Sequence, residues 1–157
     1  MHNILIALLA LTTPSAFADS KVIPGSMCRP TTSTYASSFA INSSGMAYNT
    51  SSASDIYVQC PFLDDGPTST DSVTLYTVDY NSSYAVECTL YSRTLSSMGT
   101  YDYSSDASVG SSSTVQTLSM TSVSSTHGTH YEYLYCKIPR ASGSNYSGTV
   151  AYRTNES

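Results

Sequence analysis

The chain has 157 residues, 11 % of them charged, and a net charge of −5. This acidic balance, with no basic cluster, argues against nucleic acid or an anionic membrane as a partner. Solubility rests instead on hydroxyls: 49 of the 139 residues from Asp19 onward are Ser or Thr, and 14 Tyr against 3 Phe and no Trp add to a bias toward strands.

Residues 1–18 read as a secretory signal peptide. The apolar run 4–11 is too short to span a bilayer, and the "TTPSAFA" after it sets Ala16 and Ala18 where a signal peptidase reads small residues. Residues 19–157 then form one secreted domain, large enough for a sizeable core. No other segment approaches the roughly 20 apolar residues of a membrane helix, so no membrane insertion is expected after signal cleavage. The expected location is extracellular or periplasmic.

Helical periodicity is nearly absent, because Ser, Thr and Tyr interrupt every longer window. Strands are predicted at 34–41, 55–60, 72–80, 84–92, 114–122, 130–138 and 148–154, a spacing that suits a sandwich or barrel. "LDDGPTSTD" (63–71) reads as a surface loop, "DYNSSY" (79–84) as a hairpin turn, and 101–113 as a long loop or flap.

The four cysteines, Cys28, Cys60, Cys88 and Cys136, are too far apart in sequence for a structural zinc site and read as two disulfides. Of the three possible connectivities, Cys28–Cys60 with Cys88–Cys136 is preferred. Strand phase agrees with it. Val86, Cys88 and Leu90 share one side of their strand, as do Leu134, Cys136 and Ile138, and Ile56, Val58 and Cys60. If Cys88 bonds Cys136, both apolar sets face one core. The same phase sends Tyr131, Tyr133 and Tyr135 to the opposite, solvent face together with Tyr91. Such an aromatic stripe can stack a sugar or pack a partner, and it can equally serve cross-strand pairing or lie beneath the 101–113 flap.

Other constellations are thin. His127, His130 and Glu132 lie in a turn entering a strand, with no further ligand at a zinc-site spacing. Asp64, Asp65 and Asp71 could offer oxygens to calcium but do not meet the EF-hand pattern. No G-x-S-x-G elbow exposes a nucleophile, and no carboxylate pair stands out by spacing. No cofactor, metal or catalytic residue is therefore expected. Asn42, Asn49, Asn81, Asn145 and Asn155 each begin an N-x-[ST] triplet, which marks surface loops if the source glycosylates asparagine.

"SMCRP" (26–30), "GMAYN" (45–49), "VQCP" (58–61), "VECTLYS", "YLYCKIPR" (133–140) and "GTVAYRTNE" (148–156) occur in an order that resembles a family of small exported bacterial four-cysteine all-β proteins of unknown function. The resemblance implies a secreted all-β domain with the preferred disulfide pairing, and no catalytic residues. The expectation is one antiparallel β-sandwich of jelly-roll type with two disulfides. Its expected role is a secreted, non-catalytic binding or surface module for a glycan or an extracellular protein. Alternatives are a self-assembling structural protein and, behind it, a small secreted hydrolase or inhibitor.

Overall fold

In the computed structural model, residues 20–62, 69–110, 112–125 and 129–155 are described. The signal-peptide expectation, most of the 63–71 loop with Asp64 and Asp65, and His127 lie outside them. Two antiparallel sheets face each other across one core, as the strand spacing predicts. The first sheet contains β1 (Ser20–Pro24), β3 (Phe39–Ile41), β4 (Ala47–Asn49), β6 (Ser69–Asp79), β9 (Ser112–Ser125) and β11 (Gly148–Asn155), in the order β3-β4-β11-β6-β9, with β1 also on β11. β1 and β4 share the edge of β11 opposite β6, pairing at different points along its length. The second sheet contains β2 (Arg29–Pro30), β5 (Ile56–Pro61), β7 (Glu87–Thr94), β8 (Thr100–Ala107) and β10 (His130–Ile138), in the order β2-β5-β10-β7-β8.

The alternation seen in the sequence places the core. Ile56, Val58, Cys60, Val86, Leu90, Leu134, Cys136 and Ile138 are fully buried, and Cys88 nearly so; Val73, Leu75, Leu118, Met120 and Val123 face them from the first sheet. Tyr152 on β11 is the largest fully buried side chain, and its hydroxyl donates across the sandwich to the Pro61 carbonyl on β5. Both disulfides form as preferred, Cys28–Cys60 and Cys88–Cys136. The second joins residues paired directly across β7 and β10. Two glycines permit close backbone approach: a Cβ on Gly25 would lie 2.0 Å from the Thr149 carbonyl oxygen, and one on Gly148 would lie 2.3 Å from that of Ala47.

Three sequence expectations are corrected. The 34–41 strand is divided: Ser33–Ala36 forms α1, a single helical turn, and only Phe39–Ile41 is strand. Turn bonds from the Tyr35 N–H to the Thr32 carbonyl and from the Ser38 N–H to the Tyr35 carbonyl break the extended chain there, and Tyr35 and Phe39 pack against the core from either side of the break. The 79–84 turn closes no hairpin, because β6 and β7 belong to different sheets. It is a crossover organised by the fully buried Asp79. That carboxylate accepts hydrogen bonds from Ser108 Oγ (2.5 Å), Ser147 Oγ (2.9 Å), the Asn81 N–H (3.0 Å) and the Val86 N–H (3.4 Å).

Finally, the 101–113 flap is largely strand β8. It shows no apolar alternation because its inward side meets the edge of β9 rather than the core. Asp102 and Asp106 accept from the Ser124 and Ser119 N–H groups at 2.8 and 2.7 Å, and the Ser104 hydroxyl meets that of Thr121 at 3.0 Å. These carboxylates occupy edge donors that could otherwise template another strand.

Candidate functional site

The outer face of the second sheet gathers the tyrosines into rows set by strand register. Pro61, Tyr133, Tyr91 and Tyr103 stand abreast on β5, β10, β7 and β8. The neighbouring row holds Arg29, Gln59, Tyr135, Thr89 and Ser105. Tyr131 pairs with Arg93 on one side, and Tyr57 with Lys137 and Glu87 on the other. The rings form a continuous chain. Centroids are 5.6 Å apart for Tyr35–Tyr57, 5.7 Å for Tyr57–Tyr135, 6.4 Å for Tyr135–Tyr91, 5.4 Å for Tyr91–Tyr133 and 5.9 Å for Tyr133–Tyr131. Such separations suit attractive offset and edge-to-face arrangements.

Tyr131, Tyr133 and Tyr135 are thus brought together as the phase predicted, and Tyr91 joins them. Full exposure of all three is corrected for Tyr133, which is only 9 % exposed. It sits between the rings of Tyr91 and Tyr131, with the Arg93 guanidinium 5.5 Å from its centroid. Tyr131 and Tyr135 are half-buried, and Tyr103 is 64 % exposed. Burial pushes the Tyr133 hydroxyl pKa up, partly offset by Arg93; burial also raises that of Tyr135, reinforced by Tyr57.

Arg93 also lies 5.6 Å from the Tyr91 centroid, a cation–π arrangement over both rings. The β7–β8 turn holds it there. Met98 adopts φ +56°, and its carbonyl accepts from Arg93 Nη1 at 3.3 Å while its sulfur accepts from the Tyr131 hydroxyl at 3.9 Å. At the other end, Lys137 Nζ donates to Glu87 Oε1 at 3.0 Å, which raises the lysine pKa, and lies 3.8 Å from Asp55. Between these ends a cleft of about 200 Å³ is lined by Tyr57, Tyr91, Tyr135, Thr89, Lys137 and Glu87. A shallower groove of about 490 Å³, lined by Met27, Arg29, Pro30, Thr31, Gln59 and Pro61, continues the face across β5 to β2. Strand phase around Ile56, Val58 and Cys60 points Tyr57 outward, so its place was readable. Arg93, Tyr35 and Tyr103 had no comparable signal.

The other sequence candidates fall elsewhere. Glu132 is buried at the inner end of β10 and accepts from Ser92 Oγ at 3.5 Å; the His130 ring meets the Thr129 hydroxyl at 2.9 Å. Among the described residues no three His, Cys, Asp or Glu side chains are grouped as a metal site. Of the N-x-[ST] asparagines, Asn49 and Asn81 are buried, and the expectation of a surface loop is corrected for both. The Asn49 amide donates to the Ser54 and Ile138 carbonyls, and that of Asn81 to the Arg140 carbonyl. Asn145 is exposed.

No protein-family model matches the chain, and no curated protein is similar to it. Among solved structures, the CBM36-1 domain of a multidomain xylanase from the hindgut metagenome of Trinervitermes trinervoides superposes with a TM-score of 0.51 at 12% identity, over 87% of this chain and 96% of that one. A family two carbohydrate esterase from Cellvibrio japonicus aligns with a TM-score of 0.48 at 10% identity, over 89% of this chain and 34% of the esterase. The likeness to the CBM36-1 domain is one of fold: the chain is an antiparallel β-sandwich.

Proposed function

We propose that this chain is an exported, non-catalytic binding module whose ligand is a glycan held on the tyrosine face. The cleft between Tyr57, Tyr91 and Tyr135 carries the reading. Sugar rings present C–H faces that pack on aromatic rings, and hydroxyls that need polar partners at the rim. Thr89, Gln59 and the Lys137–Glu87 pair are polar groups of that kind beside the rings. The shared fold with a xylanase's CBM36-1 domain supports the same reading, since that domain belongs to an enzyme acting on a polysaccharide. Two disulfides suit an oxidising compartment, as does the resemblance to exported four-cysteine bacterial proteins.

The test is retention of the disulfide-intact protein on cellulose, chitin, xylan, peptidoglycan and insoluble polygalacturonate, beside Tyr135→Ala and Thr121→Ala variants with unchanged melting curves. Retention of the parent and the Thr121 variant on one matrix, with loss for Tyr135→Ala, supports the reading. Retention on none of them overturns the glycan reading in favour of a protein ligand.

A further inference from the structure

The six cations of this chain are outnumbered by eleven acids, yet three of them stand on or beside the tyrosine face. Arg29 is in register with Gln59 and Arg93 with Tyr131, while Lys137 lies opposite Glu87. Lys137 is already neutralised, because Glu87 and Asp55 lie 3.0 and 3.8 Å from its Nζ. Neither arginine has a carboxylate within ion-pair distance among the described residues. Arg29 is exposed, and its Nη1 donates to the Ser26 and Cys28 carbonyls at 2.6 and 2.8 Å. Those bonds orient the guanidinium without cancelling its charge. Arg93 is fixed over two rings and by the Met98 carbonyl, and its Nε is buried with no hydrogen-bond partner. Among the described residues, two oriented guanidinium groups thus remain uncompensated on a face whose rings already suit sugars.

They are placed on two sides of the cleft. Arg93 is two residues beyond Tyr91 on β7, about 7 Å along the strand. Arg29 is two strands across from Tyr135, about 10 Å away. The Lys137–Glu87–Asp55 cluster, one cation between two carboxylates, closes a third side with a net negative charge, which directs an anionic ligand toward the arginines. The planar guanidinium fork matches a planar carboxylate with two parallel hydrogen bonds.

We infer that the tyrosine face takes a carboxylate-bearing polysaccharide, a polyuronate, with sugar rings against Tyr57, Tyr91 and Tyr135 and carboxylates on Arg93 and Arg29. This rests on the glycan-binding reading above and names its ligand class. The net acidity of the whole chain confines the favourable field to this face, so binding weakens as salt rises through the screening range.

The experiment is affinity electrophoresis of the disulfide-intact protein in gels containing polygalacturonate, its methyl ester, neutral xylan or dextran sulfate, with a single-stranded DNA oligomer as competitor. Polygalacturonate is expected to bind about tenfold more tightly than its ester, which has the same backbone without the charge. Arg93→Gln and Arg29→Gln should each weaken polygalacturonate binding about tenfold, and Arg93→Lys should fall between Arg93→Gln and the parent. Arg153→Gln, an equal charge change at an exposed position on β11, should leave binding unchanged. Since Arg93 packs on rings, Arg29→Gln at its exposed site provides the arm that a folding defect cannot confuse. Equal binding of polygalacturonate and its ester overturns the inference and leaves the glycan-binding reading standing. Binding to no polysaccharide overturns both. Equal loss for Arg153→Gln, equal or tighter binding to dextran sulfate, or displacement by DNA at equal charge overturns the inference by making the contact general electrostatics.

Discussion

The two sheets of this sandwich share one core and present opposite surfaces. The first turns Thr74, Thr117, Ser119 and Thr121 to solvent and even buries hydroxyls inward, with Thr77, Thr149 and Thr154 fully inaccessible. The second carries the linked rings, two arginines without a carboxylate partner among the described residues, and both disulfides, since Cys60, Cys88 and Cys136 lie on its strands and Cys28 directly precedes β2. A hydroxyl surface maintains solubility without demanding a fixed arrangement. Covalent ties within the second sheet fix the strands beneath the row of rings, so the staples and the rings fall on the same sheet.

The comparison breaks most severely if the staple is removed. Replacing Cys88 and Cys136 together by Ala releases a cross-link spanning 48 residues and should cost about 4 kcal/mol in urea unfolding, with the near-ultraviolet tyrosine dichroism lost first. A loss below about 1 kcal/mol would mean that the rings hold their sheet unaided. Next comes the joint between the sheets: Asp79→Ala strands the donors it satisfies and should cost about 3 kcal/mol by the same assay, against under 1 kcal/mol if water replaces the carboxylate. Tyr133→Ala, which empties a buried slot between two rings, should cost about 2 kcal/mol, whereas Tyr103→Ala and Thr74→Ala should each stay within about 0.5 kcal/mol. Equal losses for Tyr133 and Thr74 would erase the distinction between the faces.

The smallest effect is alkaline. The raised tyrosine values mean that the fold holds those protons more tightly than the unfolded chain does. Their contribution to stability is therefore complete below the ordinary tyrosine value of about 10 and is lost as pH rises through the raised ones. Phenolate absorbance should show Tyr133 and Tyr135 ionising above the ordinary tyrosine value of about 10, with the urea midpoint falling as pH rises from about 10 to about 11. An unchanged midpoint across that range would place no weight on their burial.

The legible parts were those in which one strand face met the core. Around Cys60, Cys88 and Cys136 the alternation of apolar and other residues set both the phase and the outward placement of Tyr57, Tyr91, Tyr131, Tyr133 and Tyr135. Strand β8 was invisible because Asp102, Ser104 and Asp106 face a neighbouring strand edge rather than apolar side chains, so its sequence carries no hydrophobic period. The 79–84 turn was recognisable as a turn, yet whether it returns to the same sheet or crosses depends on the partners of Asp79, which come from distant Ser108 and Ser147.

By itself, then, the sequence determined the strand-rich class, the inward and outward sides of the cysteine strands and the tyrosine stripe, because alternation is a local property of an extended chain. Only the tertiary structure decided which strands are neighbours, and hence that Arg93 lies over Tyr91 and Tyr133, that Tyr133 is buried while Tyr103 is not, and that Arg29 borders the same face. Those are pairings between residues far apart in the chain, and register between strands is set by the packed core as a whole.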